Sequence, residues 1–273
     1  MASLNPWLIC PKPRPSATRK LLCFPFAGGG GSAFRNWIDT FNSDIEVHWI
    51  QLPGRENRLR DVPMASMEEL VPALTEAVFR TVDGGAVDPP FAFYGHSLGA
   101  RVAFEVVRSL RRQGLPQPCH LFVGASQAPH LAWPHPHLHD LKESDFIEEI
   151  QKRYGGVPRQ ILEDPELRAL LIPVLRADIR IMEKYQYRAE PPLDCAITVF
   201  EGAADRTVSR PALEAWERQT LAGFRLHTVE GGHFFLQTAR QVPQTIEAEL
   251  SPSPSAATSG LARAGGYVEV SSL

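Results

Sequence analysis

The sequence predicts an α/β fold, a mostly parallel sheet with helices on both faces and an inserted helical lid. Short apolar runs of strand length recur along the 273 residues, and helical patterns separate most of them. One stretch, about 141–187, breaks this alternation. It reads as helices only, and its place between two strands predicts a cap over one end of the sheet.

The elements follow in order. Residues 1–18, rich in proline and polar groups, read as an N-terminal arm. Lys20–Phe26 is an apolar run entering a glycine cluster, which suits a buried strand, and Glu46–Leu52 is a second strand stopped by Pro53-Gly54. Residues 66–82 carry Met67, Leu70, Val71, Leu74 and Val78 at helical spacing. Phe91–Tyr94 is the next strand, followed by a helix over 100–112 whose Ala103, Phe104, Val107 and Leu110 face the sheet. His120–Gly124, Ala196–Phe200 and Phe224–Val229 complete the strands. The lid is expected to break at Gly155-Gly156-Val157-Pro158 and near Pro173. Residues 19–250 are read as one domain, and 251–273, poor in large apolar side chains, as a disordered tail.

Composition excludes several classes. With 44% hydrophobic and 22% charged residues the chain is an ordinary globular one, and a formal charge of -3 gives nucleic acid no reason to bind. No apolar run approaches a membrane span, and no basic segment leads into a long apolar one at the start. Cys10, Cys23, Cys119 and Cys195 lack metal-type spacing and read as small buried hydrophobes in a reducing compartment. A cytoplasmic location is the expectation. His130, His135, His137 and His139 alternate in a proline-rich connection without cysteine or carboxylate company, so no metal site is expected there.

The chemistry is concentrated at three loops. Gly95-His96-Ser97-Leu98-Gly99 matches G-x-S-x-G, with a strand running into it and a helix following, the context of a nucleophile elbow. A sharp strand-to-helix turn needs flanking glycines and lifts the serine hydroxyl above the sheet edge. In an α/β-hydrolase the partners follow in the order serine, acid, histidine. Asp205 lies in the loop after the strand ending at Phe200; a turn or helix-cap role is its alternative, and Glu201 and Asp194 are weaker candidates for the acid. Of nine histidines, only His233 lies in a glycine-flanked loop after the last strand. The backbone N–H of Leu98 and one from the Phe26–Ser32 loop, chosen as Ala27, are the expected oxyanion donors. Gly28–Gly31 is not a nucleotide loop, because G-x-x-x-x-G-K-[ST] is absent.

The chain resembles the type II thioesterases, the stand-alone editing hydrolases of polyketide and non-ribosomal peptide synthesis, and is similar to the medium-chain thioesterase of fatty acid synthesis. The resemblance spans roughly residues 18–248. It rests on Cys23-Phe24-Pro25-Phe26-Ala27-Gly28-Gly29, Leu52-Pro53-Gly54-Arg55-Glu56, Phe91 through Gly99, Leu175-Arg176-Ala177-Asp178 and Gly231-Gly232-His233-Phe234-Phe235. It implies Ser97, Asp205 and His233 as the catalytic residues, Ala27 and Leu98 as oxyanion donors, and a mobile lid over an acyl chamber. It also implies an acyl or peptidyl carrier protein as partner, its phosphopantetheine arm delivering the thioester, with no cofactor required. A monomer is expected. A carboxylesterase or lipase, an acyltransferase, or a carrier-binding module without turnover are the alternatives. Arg55, Arg58, Arg60, Arg108, Arg111 and Arg112 suggest either a carrier-binding face or, the favoured reading, solvated faces. Phe146, Tyr154, Tyr185 and Tyr187 either line an acyl chamber or, by default, pack in the core.

Overall fold

The structure, a computed structural model, describes residues 5–82, 90–155 and 157–251. Its seven strands are β1 (Leu8–Ile9), β2 (Arg19–Phe24), β3 (Ile45–Ile50), β4 (Phe91–His96), β5 (His120–Gly124), β6 (Ala196–Gly202) and β7 (Phe224–Val229). They form one sheet in the order β1-β3-β2-β4-β5-β6-β7. Only β1 runs antiparallel, placing Leu8 opposite Ile50. The segment read as a free arm therefore contributes an edge strand, too short to show a period in the sequence.

Alternate side chains of the central strands enter two separate cores. Leu22, Phe24 and Phe93 pack with helices α1 (Met67–Val82) and α2 (Leu98–Arg112) on one face. Leu21, Cys23 and Tyr94 pack on the other against Phe34, Trp37 and helix α7 (Gln241–Leu250). This two-sided burial explains why the strands read as continuous apolar runs rather than alternating ones.

Between β5 and β6 lie α3 (Glu143–Tyr154), α4 (Arg159–Glu163) and α5 (Pro165–Lys184). The expected break near Pro173 does not occur, since α5 runs through it. A proline inside a helix costs about 3 kcal/mol. The buried Ile172, Val174, Ile179, Ile181 and Met182 on the same helix outweigh that cost, at about 1.5–3 kcal/mol for each fully buried side chain. Asp164 caps α5 by accepting from the N–H groups of Glu166 and Leu167. Gly156 and the tail from 252 lie outside the described residues.

Cysteines divide by environment. Cys23 and Cys195 are buried as expected, whereas Cys119 is exposed and Cys10 half-buried. No helix among the described residues is long and apolar enough to cross a membrane.

Candidate active site

Strand β4 delivers Ser97 at the carboxyl edge of the sheet with φ 54° and ψ -113°, a conformation that costs a non-glycine residue about 1–3 kcal/mol. The flanking glycines are required by space. A Cβ on Gly99 would lie 2.2 Å from the Phe24 carbonyl oxygen, and one on Gly95 would lie 2.4 Å from the Ala100 Cα. Both obstacles are backbone, so neither can move aside cheaply.

The structure brings Ser97, His233 and Asp205 into one hydrogen-bonded chain. His233 Nε2 is 3.2 Å from Ser97 Oγ, and its Nδ1 is 3.0 Å from Asp205 Oδ2. Asp205 is held in turn by Thr207, whose N–H and hydroxyl donate to Oδ1 at 2.8 and 2.7 Å. Thr207 Oγ1 is also 2.8 Å from His233 Nδ1. With its proton given to Oδ1, that oxygen accepts from Nδ1–H, so the imidazole presents a bare Nε2 to the serine hydroxyl. Burial pushes the Asp205 carboxyl up, but hydrogen bonds and charge from His233 and Thr207 outweigh it and hold the group below the ordinary carboxylate range. Glu201, by contrast, is occupied by Arg210 at 2.6 Å and Thr228 at 2.9 Å, and Asp194 is exposed before β6.

Two positioning groups escaped the sequence. Thr207 carried no signal beyond its nearness to Asp205. His96 carries no signal beyond its place in the elbow, yet its Nε2–H donates to the His233 carbonyl at 2.7 Å while Nδ1 accepts from Tyr94. Burial drives the His96 pKa down to about 3, so the ring stays neutral and this tether persists across working pH.

Ala27 shares a cavity of about 420 Å³ with Ser97 and His233. Among the described residues no hydrogen bond engages the N–H of Ala27 or of Leu98. The Ala27 loop is anchored by Asp178 of α5, which accepts the Gly28 N–H at 2.7 Å and pairs with Arg55 at 2.6 and 2.9 Å. Arg55 also donates to the Gly29 carbonyl at 3.0 Å. The favoured reading of the arginines as solvated faces is thus corrected for two of them: Arg55 and Arg108 are buried, each in ion pairs. Arg55 pairs with the distant Asp178, and Arg108 with Glu105 one turn back on α2 and with the distant Glu190; charge alone could not show that these pairs are buried. Asp178→Ala strands the Arg55 charge at 4% side-chain exposure, and is expected to cost about 3–5 kcal/mol. The melting temperature should fall by about 10 °C in a calorimetric scan. The double variant Arg55→Met, Asp178→Leu should recover most of that loss.

The cavity is bounded by α3–α5 through Ile150, Val157, Ile161, Leu171, Leu175 and Ile179. Of the four aromatics considered, Tyr154 lines it, with its ring 5.2 Å from that of His233. Phe146 is buried under Arg176, and Tyr185 and Tyr187 bond to Glu105 and Gln219. Within the histidine-rich connection, His139 does have carboxylate company: Glu183 of α5 accepts from its ring and from the N–H groups of Leu138 and His139. That contact ties the connection to α5. Elsewhere, β1–β3 pairing gathers donor atoms of Cys10, Glu46 and His48 within 4.8 Å of one another. Glu46 there already accepts from the Arg14 N–H and His48, and burial with the Glu46 charge pushes the thiol up to about 11, against metal-binding thiolate.

Fold and site together define an α/β-hydrolase. A family model for the thioesterase domain matches residues 19–250, and the chain belongs to that family as a thioester hydrolase. It is 38% identical over 240 residues to the gramicidin S biosynthesis protein GrsT of Aneurinibacillus migulanus, covering 88% of this chain and 91% of GrsT. The medium-chain S-acyl fatty acid synthase thioesterase of Homo sapiens is 32% identical, covering 83% of this chain and 84% of the human protein. Among solved structures, RedJ, a thioesterase from the prodiginine biosynthetic pathway in Streptomyces coelicolor, superposes with TM-score 0.78 at 38% identity, over 86% of this chain and 91% of RedJ.

Proposed function

We propose that this protein is an editing thioesterase of a polyketide or non-ribosomal peptide assembly line, releasing aberrant or stalled acyl groups from the phosphopantetheine arm of a carrier protein. The observation that carries the reading is the Ser97–His233–Asp205 chain opening into a large, mainly apolar cavity beneath α3–α5. The names of GrsT and RedJ tie them to gramicidin S and prodiginine biosynthesis, which favours an assembly-line partner.

In this mechanism His233 Nε2 takes the Ser97 proton as Oγ attacks the thioester carbonyl. The N–H groups of Leu98 and Ala27 receive the developing oxyanion. Asp205 stabilises the imidazolium and fixes its tautomer. The C–S bond breaks, the thiolate takes the imidazolium proton, and acyl-Ser97 remains. A thiol of pKa about 8.5 is a far easier leaving group than an amine. Water activated by His233 then attacks the acyl-enzyme and releases the acid. Nucleophile, base and oxyanion donors all come from one chain, so the reading calls for no cofactor and a monomer suffices. Helices α3–α5 act as a mobile lid that opens to admit the arm.

The test is hydrolysis of an acyl-phosphopantetheinyl carrier protein beside a matched oxygen ester. Fast release from the carrier with slow ester cleavage is expected. The reverse preference would replace this reading with a carboxylesterase, and transfer of the acyl group to an added alcohol or amine in preference to water would make it an acyltransferase.

A further inference from the structure

The two proposed oxyanion donors rest on unlike supports. Leu98 opens α2 and is fully buried in the core, so the elbow itself fixes its N–H. Ala27 precedes four consecutive glycines, Gly28–Gly31, which keep one shape only when something outside the loop holds them. Gly29 N–H donates to the Phe26 carbonyl at 2.9 Å and Gly28 has φ 77°, the pattern of a type II turn with glycine where a positive φ is needed. Phe26 and Ala27 share one trans peptide, so holding that carbonyl also sets the direction of the Ala27 N–H.

Side chains from outside the loop hold the peptides that follow. Asp178 of α5 accepts the Gly28 N–H at 2.7 Å, and Arg55 donates to the Gly29 carbonyl at 3.0 Å. These two groups are themselves paired twice, at 2.6 and 2.9 Å, and both are buried. Charge-assisted, two-point bonds of this kind are short and directional. Gln51 accepts the Gly31 N–H at 3.3 Å and donates to the Arg55 carbonyl at 3.0 Å. At the far end Glu56 accepts from the N–H and hydroxyl of Ser32 at 3.1 and 2.5 Å. Glu56 does so at φ 49°, a strained value for a residue other than glycine, and a Cβ on Gly30 would lie 2.3 Å from its Oε1. Every peptide unit from Phe26 to Ser32 thus carries a hydrogen bond that fixes it, while the Ala27 N–H itself stays unengaged among the described residues.

We propose that Arg55 and Asp178 are positioning residues for the Ser97 reaction: their buried ion pair grips the Gly28–Gly29 turn and holds the Ala27 N–H where the thioester oxygen becomes an oxyanion. The inference rests on the proposed mechanism, in which Ala27 donates to that oxyanion. It gives the four glycines and Pro53-Gly54-Arg55-Glu56 one shared task. Apolar side chains of similar volume could fill the space of a buried ion pair at little cost in stability, but they could not hold a peptide N–H and a carbonyl in fixed directions. An oxyanion donor acts only where charge develops, so displacing it costs rate rather than binding. Because Asp178 lies on α5, a helix that bounds the acyl cavity also sets the donor.

The experiment uses the double variant Arg55→Met, Asp178→Leu, which removes both charges together and strands neither. Its melting temperature is expected to stay close to that of wild type. Release of an octanoyl group from a phosphopantetheinyl carrier protein should nevertheless fall by about 10²–10³-fold in kcat, the scale for one lost oxyanion donor, with KM little changed. The pH–rate profile should keep its shape, because Ser97, His233 and Asp205 are untouched. Octyl trifluoromethyl ketone, to which Ser97 Oγ adds as His233 takes its proton, places an oxyanion at the same point. Its affinity should fall in step with kcat, whereas the matched methyl ketone should bind as before. Arg55→Lys keeps the buried charges paired but loses the two-point contact; it serves if the double variant fails to fold, with a loss of about 10-fold expected. A folded variant with wild-type kcat and unchanged affinity for the trifluoromethyl ketone overturns the positioning role. Equal weakening of both ketones also overturns it, since that is loss of the binding site and not of oxyanion support. Wild type that cleaves only a matched oxygen ester removes the editing reading instead, and the same rate ratio on that ester still judges the clamp. Turnover that survives Ser97→Ala removes the mechanism on which the inference rests.

Discussion

Ser97→Ala is expected to lower turnover of an acyl-carrier substrate by about 10⁶-fold, the scale for loss of a serine nucleophile. The folded state should be kept. The side chain is small, the strained backbone at φ 54° is tolerated already with a Cβ in place, and among the described residues Oγ makes one side-chain hydrogen bond, to His233. What remains should be the contribution of the Leu98 and Ala27 donors and of binding, about 10³–10⁴-fold over water. Single-turnover kinetics would show no acyl-enzyme burst, while the thermal transition stays within a few degrees. A serine-directed phosphonate that labels another residue in wild type would remove Ser97 from its proposed role.

Asp205→Asn is expected to cost about 10⁴-fold in kcat, and the structure supplies a reason specific to this site. Thr207 offers two donors, its N–H and its hydroxyl, to Asp205 Oδ1. In the variant these donors select the amide oxygen for that position and turn the NH₂ toward His233 Nδ1. Nδ1 must then accept, the proton moves to Nε2, and the ring faces Ser97 as a donor instead of a base. Raising the pH cannot repair a wrong tautomer, so the pH–rate profile should drop uniformly. Activity close to wild type would shift the acid to another carboxylate, yet Glu201 is held by Arg210 and Thr228.

Strand and helix identities were legible because their apolar patterns follow the local period of each element. Serine, acid and histidine were legible for a related reason: each sits in a glycine-marked or turn-forming loop directly after a strand, where a parallel sheet presents its loops at one edge. Pro173 misled because a local propensity of about 3 kcal/mol is smaller than the burial available along α5. The strand β1 was invisible because two residues cannot display alternation, and only the free edge of β3 made it a strand.

The sequence by itself determined the α/β order, the elbow at Ser97 and the loops carrying Asp205 and His233, since these depend on neighbours a few positions apart. Only the tertiary structure decided which charges are buried. Arg55 meets Asp178 across 123 positions and becomes the anchor of the Ala27 loop, while His96 reaches His233 across 137 positions to tether its backbone. Arg101, a residue like any other arginine in the sequence, is 3% exposed with its Nε unpartnered among the described residues. Burial and pairing are properties of segments brought together by the fold, and electrostatic cost is set by what surrounds a charge in space.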